Sequence, residues 1–147
     1  MLRDNPDTVN YVVLWYSPVG YRRLLLTLGP RELQELVRTI VEDCWTDAAG
    51  LDRLEGLLAD GYVHHTPFGD WTFEQFREGI AWVESQLADR TYRALHVVVE
   101  GDLAAAYIVW TATRRADGTA VEGRGAYHCR ITAAGVHEDW DVFYPAG

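Results

Sequence analysis

The sequence predicts a single α+β domain in which three N-terminal helices cover a curved antiparallel sheet. Apolar residues recur with a helical period as far as about residue 88 and in an extended, strand-like pattern after residue 89. Short turns rich in glycine and aspartate separate the later extended runs, as in an antiparallel meander. The chain has 147 residues, 48% of them hydrophobic, which suits one core of ordinary domain size.

The first 29 residues are expected to be an N-terminal extension to a domain that spans residues 30–147. Residues 11–16 are rich in strand formers, and residues 17–20 (Ser-Pro-Val-Gly) predict a turn. Leucines crowd residues 24–28 and must be buried somewhere. The extension is therefore either an added strand or arm packed on the domain, or a piece that completes a dimer.

Two helices are expected next. Pro30 suits the first position of a helix, and apolar residues then recur at i, i+3 and i+4 to about Trp45. The stretch Asp-Ala-Ala-Gly at residues 47–50 ends this pattern, and leucines at helical spacing predict a second, short helix that begins near residue 51 and ends near residues 60–61.

A short strand and a third helix follow. Residues 62–67 are expected to form a strand that Pro67 ends. Thr72 and Gln75 form a capping-box pair, in which each side chain can satisfy a backbone donor at a helix start. An apolar face then continues over residues 73–88, so this helix has the clearest signal in the chain.

Four strands complete the predicted domain as a meander. Each is an extended run bounded by a short turn, which places neighbours in the chain next to each other in the sheet. The predicted strands cover residues 92–99, 103–114, 121–132 and 136–144.

The charge balance restricts the partners. The net charge is −9, and all 13 basic residues are arginine. An acidic surface without a basic stripe repels phosphates, so we expect neither nucleic acid nor an anionic membrane as a partner. The lack of lysine excludes a Schiff base and a P-loop lysine, and no Gly-x-Ser-x-Gly nucleophile motif is present.

Cysteine usage and the N-terminus favour a cytoplasmic protein. Cys44 and Cys129 lie in apolar patterns, and two cysteines are too few for a secreted disulfide framework, so both are expected to be buried thiols. The start of the chain lacks a basic region followed by an apolar stretch, and polar residues interrupt the apolar segment 9–28. We therefore expect no signal peptide and no membrane span.

Two segments carry a family resemblance. Residues 57–67, Leu-Leu-Ala-Asp-Gly-Tyr-Val-His-His-Thr-Pro, resemble the pattern LLADDFVxHxP of SnoaL-like polyketide cyclases, and residues 136–143 resemble that group's IVEHWDVF. With the element order, the resemblance covers residues 31–144 and implies the cone-shaped nuclear transport factor 2-like fold. That superfamily includes polyketide cyclases, isomerases, dehydratases, epoxide hydrolases and non-catalytic domains, so the fold alone does not fix the function.

The resemblance implies a catalytic role for Asp141. In the cyclases that the chain resembles, a lone carboxylate on the late strands acts as general acid/base in an aldol ring closure. Trp140, Val142 and Phe143 surround Asp141 in the sequence, and an apolar setting raises the pKa of an aspartate toward neutrality. The alternative is an outward-facing Asp141 in a cross-strand ion pair.

Asp139 is a second candidate because alternate strand residues face the same side as Asp141. If both face inward, they could hold one proton between them; if both face outward with His137, they form a solvated polar face. Asp139 also marks a departure from the family pattern, which has a histidine before the tryptophan. The chemistry of this chain could differ from that of its relatives for this reason.

Three histidines are further candidates. His65 matches the histidine of the family pattern, and His64 precedes it; on a strand the two point to opposite faces, so one of them is expected to enter the pocket. We favour His65 as a proton shuttle or carbonyl-polarising donor, with a structural role as the alternative. His128 could orient Asp141 or face solvent. Adjacent strand residues diverge, so His64 and His65 give no ligand spacing and no metal is expected.

Aromatic residues supply the expected walls of a ligand pocket. The 12% aromatic content favours a large, flat, hydrophobic ligand, although each single ring could equally be ordinary core. The expected substrate-binding residues are Tyr62, His64, Trp71, Trp82, Trp110, Tyr127, Trp45 and Trp140.

The function that follows is a cofactor-independent cyclase, isomerase or dehydratase. It would act on a hydrophobic, carbonyl-bearing, polyketide-like intermediate. One alternative is a limonene-type epoxide hydrolase, which needs an arginine between two inward carboxylates; Arg124 and Arg130 are the candidates. The other is a non-catalytic binding or dimerisation domain. The resemblance also implies a homodimer, with Ile108, Trp110 or the N-terminal extension as candidate contacts.

Overall fold

The structure is a computed structural model that describes residues 9–17 and 20–145, with side chains described from residue 29 to residue 145. In chain order the elements are β1 (Val9–Ser17), β2 (Gly20–Leu28), α1 (Pro30–Thr39), a π-helical turn (Ile40–Cys44), α2 (Ala48–Glu55), β3 (Leu58–Thr66), β4 (Gly69–Trp71), α3 (Phe73–Gln86), β5 (Leu87–Glu100), β6 (Leu103–Arg114), β7 (Ala120–Thr132) and β8 (Gly135–Pro145).

α1 and α3 form where the sequence pattern predicts them, whereas α2 ends at Glu55 and Leu58, predicted as part of that helix, begins β3. Pro30 opens α1, and the π-helical turn carries the helical path on to Cys44. The capping box at the start of α3 is present, with Gln75 N–H donating to the Thr72 hydroxyl and Thr72 N–H donating to the Gln75 side chain. The Asp47 side chain caps α2 by accepting from Gly50 N–H at 2.7 Å.

The three helices are interleaved with strands and do not form one N-terminal block; of the intervening strands, only the one near residues 62–67 was predicted at its place between the second and third helices. β1 and β2 precede α1, and β3 and β4 lie between α2 and α3. β3 belongs to the main sheet because it pairs with β8 near the end of the chain.

Six strands form one curled, unclosed sheet in the order β4-β3-β8-β7-β6-β5. The antiparallel meander β5 to β8 is as predicted. The sheet is mixed, however, because β3 runs parallel to β8, and the three-residue strand β4 was not predicted. A parallel pair joins segments far apart in sequence, and local patterns carry no signal for it.

The N-terminal extension contains an antiparallel hairpin of β1 and β2, which is a separate two-stranded sheet. The sequence predicts strand formers in the first of these segments but not a second strand. Of the turn predicted over residues 17–20, Pro18 and Val19 lie outside the described residues. The boundary between an extension of residues 1–29 and a domain of residues 30–147 stays a prediction.

The core lies between α1 with its π-helical turn and the inner face of the sheet. Leu33, Val37 and Ile40 are fully buried there against sheet residues such as Ile108. Both cysteines are buried and free, as expected. Ile108 is buried and therefore cannot form the dimer contact suggested for it; the homodimer itself stays a prediction. None of the helices in the described parts of the chain combines the length and apolarity that a bilayer crossing requires.

Candidate active site

A cavity of about 670 Å³ opens between α3 and the inner face of the sheet. One wall is the apolar stripe of α3, and the sequence pattern identified this stripe as a core face. Residues at the mouth are strongly exposed, with Phe68 at 89% and Trp82 at 67%, so the cavity communicates with solvent. The lining residues are Trp45, His64, Thr66, Pro67, Phe68, Trp71, Phe76, Gly79, Ile80, Trp82, Val83, Leu87, Tyr92, Trp110, Asp141, Val142, Phe143 and Tyr144.

Two glycines on β7 keep space open above the sheet. A Cβ atom at Gly123 would clash with the Trp110 ring, and a Cβ atom at Gly125 would clash with the Phe143 ring. Only a residue without a side chain allows these rings to lie so close to the strand.

Asp141 is the carboxylate in the cavity wall. Its side chain is 17% exposed, and apolar groups form most of its surroundings. Burial raises the pKa of Asp141 to about 6, with a further rise from Asp139 and an opposing effect of His64. The expected catalytic role depends on this inward orientation. It places a carboxyl group whose pKa is close to neutral pH against an apolar cavity.

His64 connects Asp141 to a buried second carboxylate. Its Nδ1 lies 2.6 Å from Asp139 Oδ1, and its Nε2 lies 3.5 Å from Asp141 Oδ1. An ionised carboxylate only accepts hydrogen bonds, so Nδ1–H donates to Asp139 and Nε2 faces Asp141. The array Asp139–His64–Asp141 can therefore move or share a proton, and 3.5 Å is a separation that catalytic groups often show without substrate.

Two tyrosines hold Asp139. Tyr62 O–H donates to Oδ1 at 2.7 Å, and Tyr127 O–H donates to Oδ2 at 3.1 Å. Burial raises the pKa of both tyrosines, and the Asp139 charge adds to the rise, so both hydroxyls stay protonated donors. Together with His64, the tyrosines give three hydrogen-bond donors to a carboxylate that is only 2% exposed. A buried charge needs such hydrogen bonds to offset the loss of water.

Strand register explains why these side chains meet. His64 on β3 is the Cα partner of Asp139 on β8, and Asp141 is the Cα partner of Tyr127 on β7. Partners directly across a sheet point to the same face, and residues two apart on one strand do so too. The expectation that Asp139 and Asp141 face the same side agrees with this geometry. His137 does not join this group; its Nε2 is hydrogen-bonded to Thr132 Oγ1 at 2.6 Å.

The structure places His64 and not His65 in the cavity wall, which corrects the prediction that favoured His65. His65 lies on the opposite face of the sheet, where Nδ1 is 2.7 Å from Asp70 and Nε2 is 3.0 Å from Glu138. Partial burial works against its charged form, but the hydrogen bonds to these two carboxylates outweigh that effect and raise the pKa of His65. The register of β3 on β8 sets which histidine faces inward.

His128 and Trp140 also lie on the outer face, which removes both from the cavity. The Trp140 ring stacks between two histidines, with centroid distances of 4.7 Å to His65 and 4.4 Å to His128. Partial burial lowers the pKa of His128. Asp141 and His128 are on different faces because His128 pairs with Trp140, one residue before Asp141.

Most of the other predicted wall residues do line the cavity. Trp45, Trp71, Trp82 and Trp110 join His64 there, whereas Tyr62 and Tyr127 lie behind the wall as partners of Asp139. Trp110 therefore cannot form the outer-face dimer contact suggested for it. Several further residues line the cavity that were not predicted as its walls, although the α3 stripe and the aromatic ending of β8 were visible signals; they include Phe68, Phe76, Ile80, Leu87, Tyr92 and Phe143.

The arginines suggested for an epoxide hydrolase are on the outer face. Arg124 bonds the Tyr107 hydroxyl at 3.0 Å, and Arg130 pairs with Asp102 and Glu138. Neither lies between the two inward carboxylates, a position that His64 occupies instead. Among the described residues, no group of three or more His, Cys, Asp or Glu side chains is arranged to hold a metal ion.

The fold and a family model identify the relatives of this chain. A family model described as a SnoaL-like domain matches residues 37–136 and confirms the resemblance found in the sequence. A comparison with curated proteins found no significant match.

Solved structures with the same fold come from several bacteria. A candidate SnoaL-like polyketide cyclase from Jannaschia has a TM-score of 0.69 at 14% identity, over 88% of this chain and 90% of that one. A SnoaL-like polyketide cyclase from Agrobacterium tumefaciens has a TM-score of 0.60 at 18% identity, over 80% and 93%. A protein with a ketosteroid isomerase-like fold from Catenulispora acidiphila, bound to trimethylamine, has a TM-score of 0.58 at 18% identity, over 67% and 78%. At these identities the likeness shows the fold.

Proposed function

We propose that this chain, which belongs to the SnoaL-like domain family, is a cofactor-independent general acid/base enzyme acting on a hydrophobic, carbonyl-bearing small molecule of polyketide type. The observation that carries the proposal is the carboxylate of Asp141 in the wall of a large apolar cavity, 3.5 Å from His64. A carboxylate in this setting has a pKa near working pH, which is what a general base needs.

The proposed first step is removal of a proton α to a carbonyl. Ionised Asp141 takes the proton, the electron pair of the broken C–H bond forms the enolate C=C bond, and the carbonyl π pair moves onto oxygen. The enolate C=O then re-forms, and Asp141 returns the proton to carbon in an isomerisation, to the leaving oxygen in a dehydration, or to the alkoxide made when the enolate carbon attacks a second carbonyl in a cyclisation, so that the enzyme ends as it began. Cyclisation, isomerisation and dehydration of such a substrate share this step.

His64 and Asp139 support the base in this scheme. Nε2 of His64 can accept the proton that Asp141 has taken and give it back, so the two side chains share one mobile proton. Asp139 is a positioning residue: its hydrogen bond to Nδ1 fixes the ring and stabilises the imidazolium when it forms. The family pattern that residues 136–143 resemble has a histidine where this chain has Asp139.

Two observations favour an enzyme over a scaffold domain. The cavity is not filled by side chains, and a scaffold gains nothing from an inward carboxylate whose burial is costly. The epoxide hydrolase alternative has less support, because His64 and not an arginine stands between Asp139 and Asp141.

The test uses 2-tetralone, a bicyclic ketone, as a probe of α-proton removal. The protein is incubated with 2-tetralone in deuterated buffer, and deuterium entry at the α carbons is followed by NMR. We expect Asp141→Asn to lower the enzymatic exchange rate by on the order of 10²–10³-fold while the fold is retained. The matched control is Glu138→Gln on the outer face of the same strand, which should exchange like the wild type. Wild-type exchange in the Asp141→Asn variant would overturn the proposal.

A further inference from the structure

A glycine in the middle of α3 makes room for a tryptophan ring. Glycine in a helix interior is destabilising relative to alanine, so its presence there often marks a close approach of another group. A Cβ atom at Gly79 would lie 2.8 Å from Cζ3 and 3.4 Å from Cη2 of the Trp71 ring. The ring of Trp71 therefore lies against the bare backbone of α3 at Gly79, and we call this place the α3 notch.

The same tryptophan ring packs against His64. Trp71 on β4 is the Cα partner of His64 on β3, so their side chains share the inner face of the sheet. The two ring centroids are 6.0 Å apart, and the ring of Phe76, from α3, lies 4.6 Å from the His64 ring. His64 is only 2% exposed. Aromatic rings from β4 and α3 thus help to keep water away from the histidine that stands beside Asp141.

This packing matters because only one nitrogen of His64 is held by a short hydrogen bond. Nδ1 is 2.6 Å from Asp139, whereas Nε2 is 3.5 Å from Asp141, which is longer than an ordinary hydrogen bond. A ring held at one nitrogen can tilt about that contact. The surrounding packing therefore decides how Nε2 lies relative to Asp141, as in other sites whose side chains are fixed by their neighbours.

We propose that Trp71, placed in the α3 notch, is a positioning residue: it holds the His64 ring with Nε2 toward Asp141 and keeps water from the space between them. This inference rests on the proposed function and adds a residue that acts through His64 and not on the reacting atoms. Since α3 also forms one wall of the cavity, one ring links that wall to the pair of side chains that share the proton.

The first test is Trp71→Phe, which removes the ring atoms Cζ3 and Cη2 that lie in the notch. We expect 2-tetralone exchange to fall by on the order of threefold to tenfold. The midpoint of the pH profile should also fall toward the ordinary pKa of an aspartate, because water enters beside Asp141. Trp82→Phe at the mouth of the cavity is the control and should change neither quantity. In a His64→Gln background, Trp71→Phe should cause a further loss of less than about twofold.

The second test is a pair of compensating substitutions. Gly79→Ala should lower the exchange rate although alanine favours the helix, because the new Cβ atom displaces the Trp71 ring. The double variant Gly79→Ala/Trp71→Phe should exchange faster than Gly79→Ala alone, because the smaller ring leaves room for the methyl group. Glu78→Ala, at an exposed position next to the notch, is the control for the helix itself.

The position of His64 also has a measurement that does not depend on turnover. Its Nδ1–H proton, observed by NMR, should shift in Trp71→Phe and in Gly79→Ala and not in either control. An unmoved signal, an unmoved pH midpoint in both single variants, or losses that simply multiply in the double variant would overturn the inference. If the signal and the Asp141 titration move as expected but Asp141→Asn exchanges like the wild type, the proposed function fails and the positioning of His64 by Trp71 stands.

Discussion

His64 and Asp139 are direct partners on the parallel strands β3 and β8, and their side chains meet on the cavity face with Nδ1 and Oδ1 2.6 Å apart. This contact joins the two segments of the chain that resemble the SnoaL-like pattern. It also turns Nε2 of His64 toward Asp141. A contact between residues 75 positions apart in the sequence thus orients the histidine beside Asp141, the proposed base.

His64→Gln and His65→Gln form a matched pair of adjacent substitutions. We expect His64→Gln to lower 2-tetralone exchange by on the order of 10–10²-fold, because Asp141 loses the ring that shares its proton. His65→Gln should leave exchange within about twofold of the wild type, because His65 faces away from the cavity. The measurement is the exchange rate at saturating and at low probe concentration. A larger loss in His65→Gln than in His64→Gln would contradict the assignment.

The exchange rate should rise with pH and level off above an apparent pKa near 6. The direction follows because ionised Asp141 is the base, and burial raises its pKa to about 6. Asp139→Asn should move this midpoint as well as the rate, since it removes a neighbouring negative charge and the partner of His64. A purely structural role for Asp139 would lower the amount of folded protein and leave the midpoint unchanged.

Asp141 should also reduce stability as pH rises from about 4 to 6. The unfolded chain releases this proton at its ordinary pKa, about 3.9, whereas the folded protein holds it to about 6. Ionisation therefore favours unfolding across that window, by on the order of 1–3 kcal/mol, and the effect is constant above it. Asp141→Asn removes the effect, so the variant should gain stability over the wild type as pH rises. Urea denaturation of both proteins from pH 4 to pH 7 measures the difference; a constant difference would contradict the prediction.

Removing the donors of Asp139 should destabilise the fold. We expect Tyr62→Phe and Tyr127→Phe each to cost about 1–3 kcal/mol, because each leaves a buried carboxylate with one donor fewer. In Asp139→Asn backgrounds the same substitutions should cost less, and a double-mutant cycle gives the coupling. Tyr107→Phe on the outer face is the control. Equal costs with and without the Asp139 charge would show that the tyrosines act by packing alone.

The glycine positions on β7 should set the depth of the cavity. Gly125→Ala places a methyl group against the Phe143 ring, which lines the cavity, and 2.8 Å from the Val142 carbonyl oxygen, so the ring and the β8 backbone must both shift. We expect weaker binding of 2-tetralone with little change in the exchange rate once it is bound. Ala126→Ser, on the exposed face of the same strand, is the control. Unchanged affinity in Gly125→Ala would mean that the Phe143 ring does not limit the cavity.

The sequence predicted the elements better than it predicted the site. Helical period, the capping box of Thr72 and Gln75, and short turns located three helices and the meander, because these are local signals. Strand parity also placed Asp139 and Asp141 on one face. It could not decide between His64 and His65, because that choice depends on the register of β3 against a strand near the end of the chain.

The hydrophobic periodicity of the sequence could not predict the cavity. The apolar stripe of α3 predicts an inward face, but a stripe looks the same whether it meets side chains or open space. Residues such as Ile80 and Leu87 therefore read as core and in fact line the cavity. The paired roles of Tyr62 and Tyr127 were hidden for a similar reason, because an aromatic ring in a strand pattern does not reveal where its hydroxyl points.

The most direct measurement is an NMR titration of the Asp141 side-chain carboxyl, with the signal identified from the Asp141→Asn variant. An acidic group held against an apolar hollow should titrate near pH 6, and a flat probe such as tetralin, which displaces water from the cavity, should raise the midpoint further. A midpoint at the ordinary value near 4, insensitive to the probe, would show a solvated carboxylate and contradict the account.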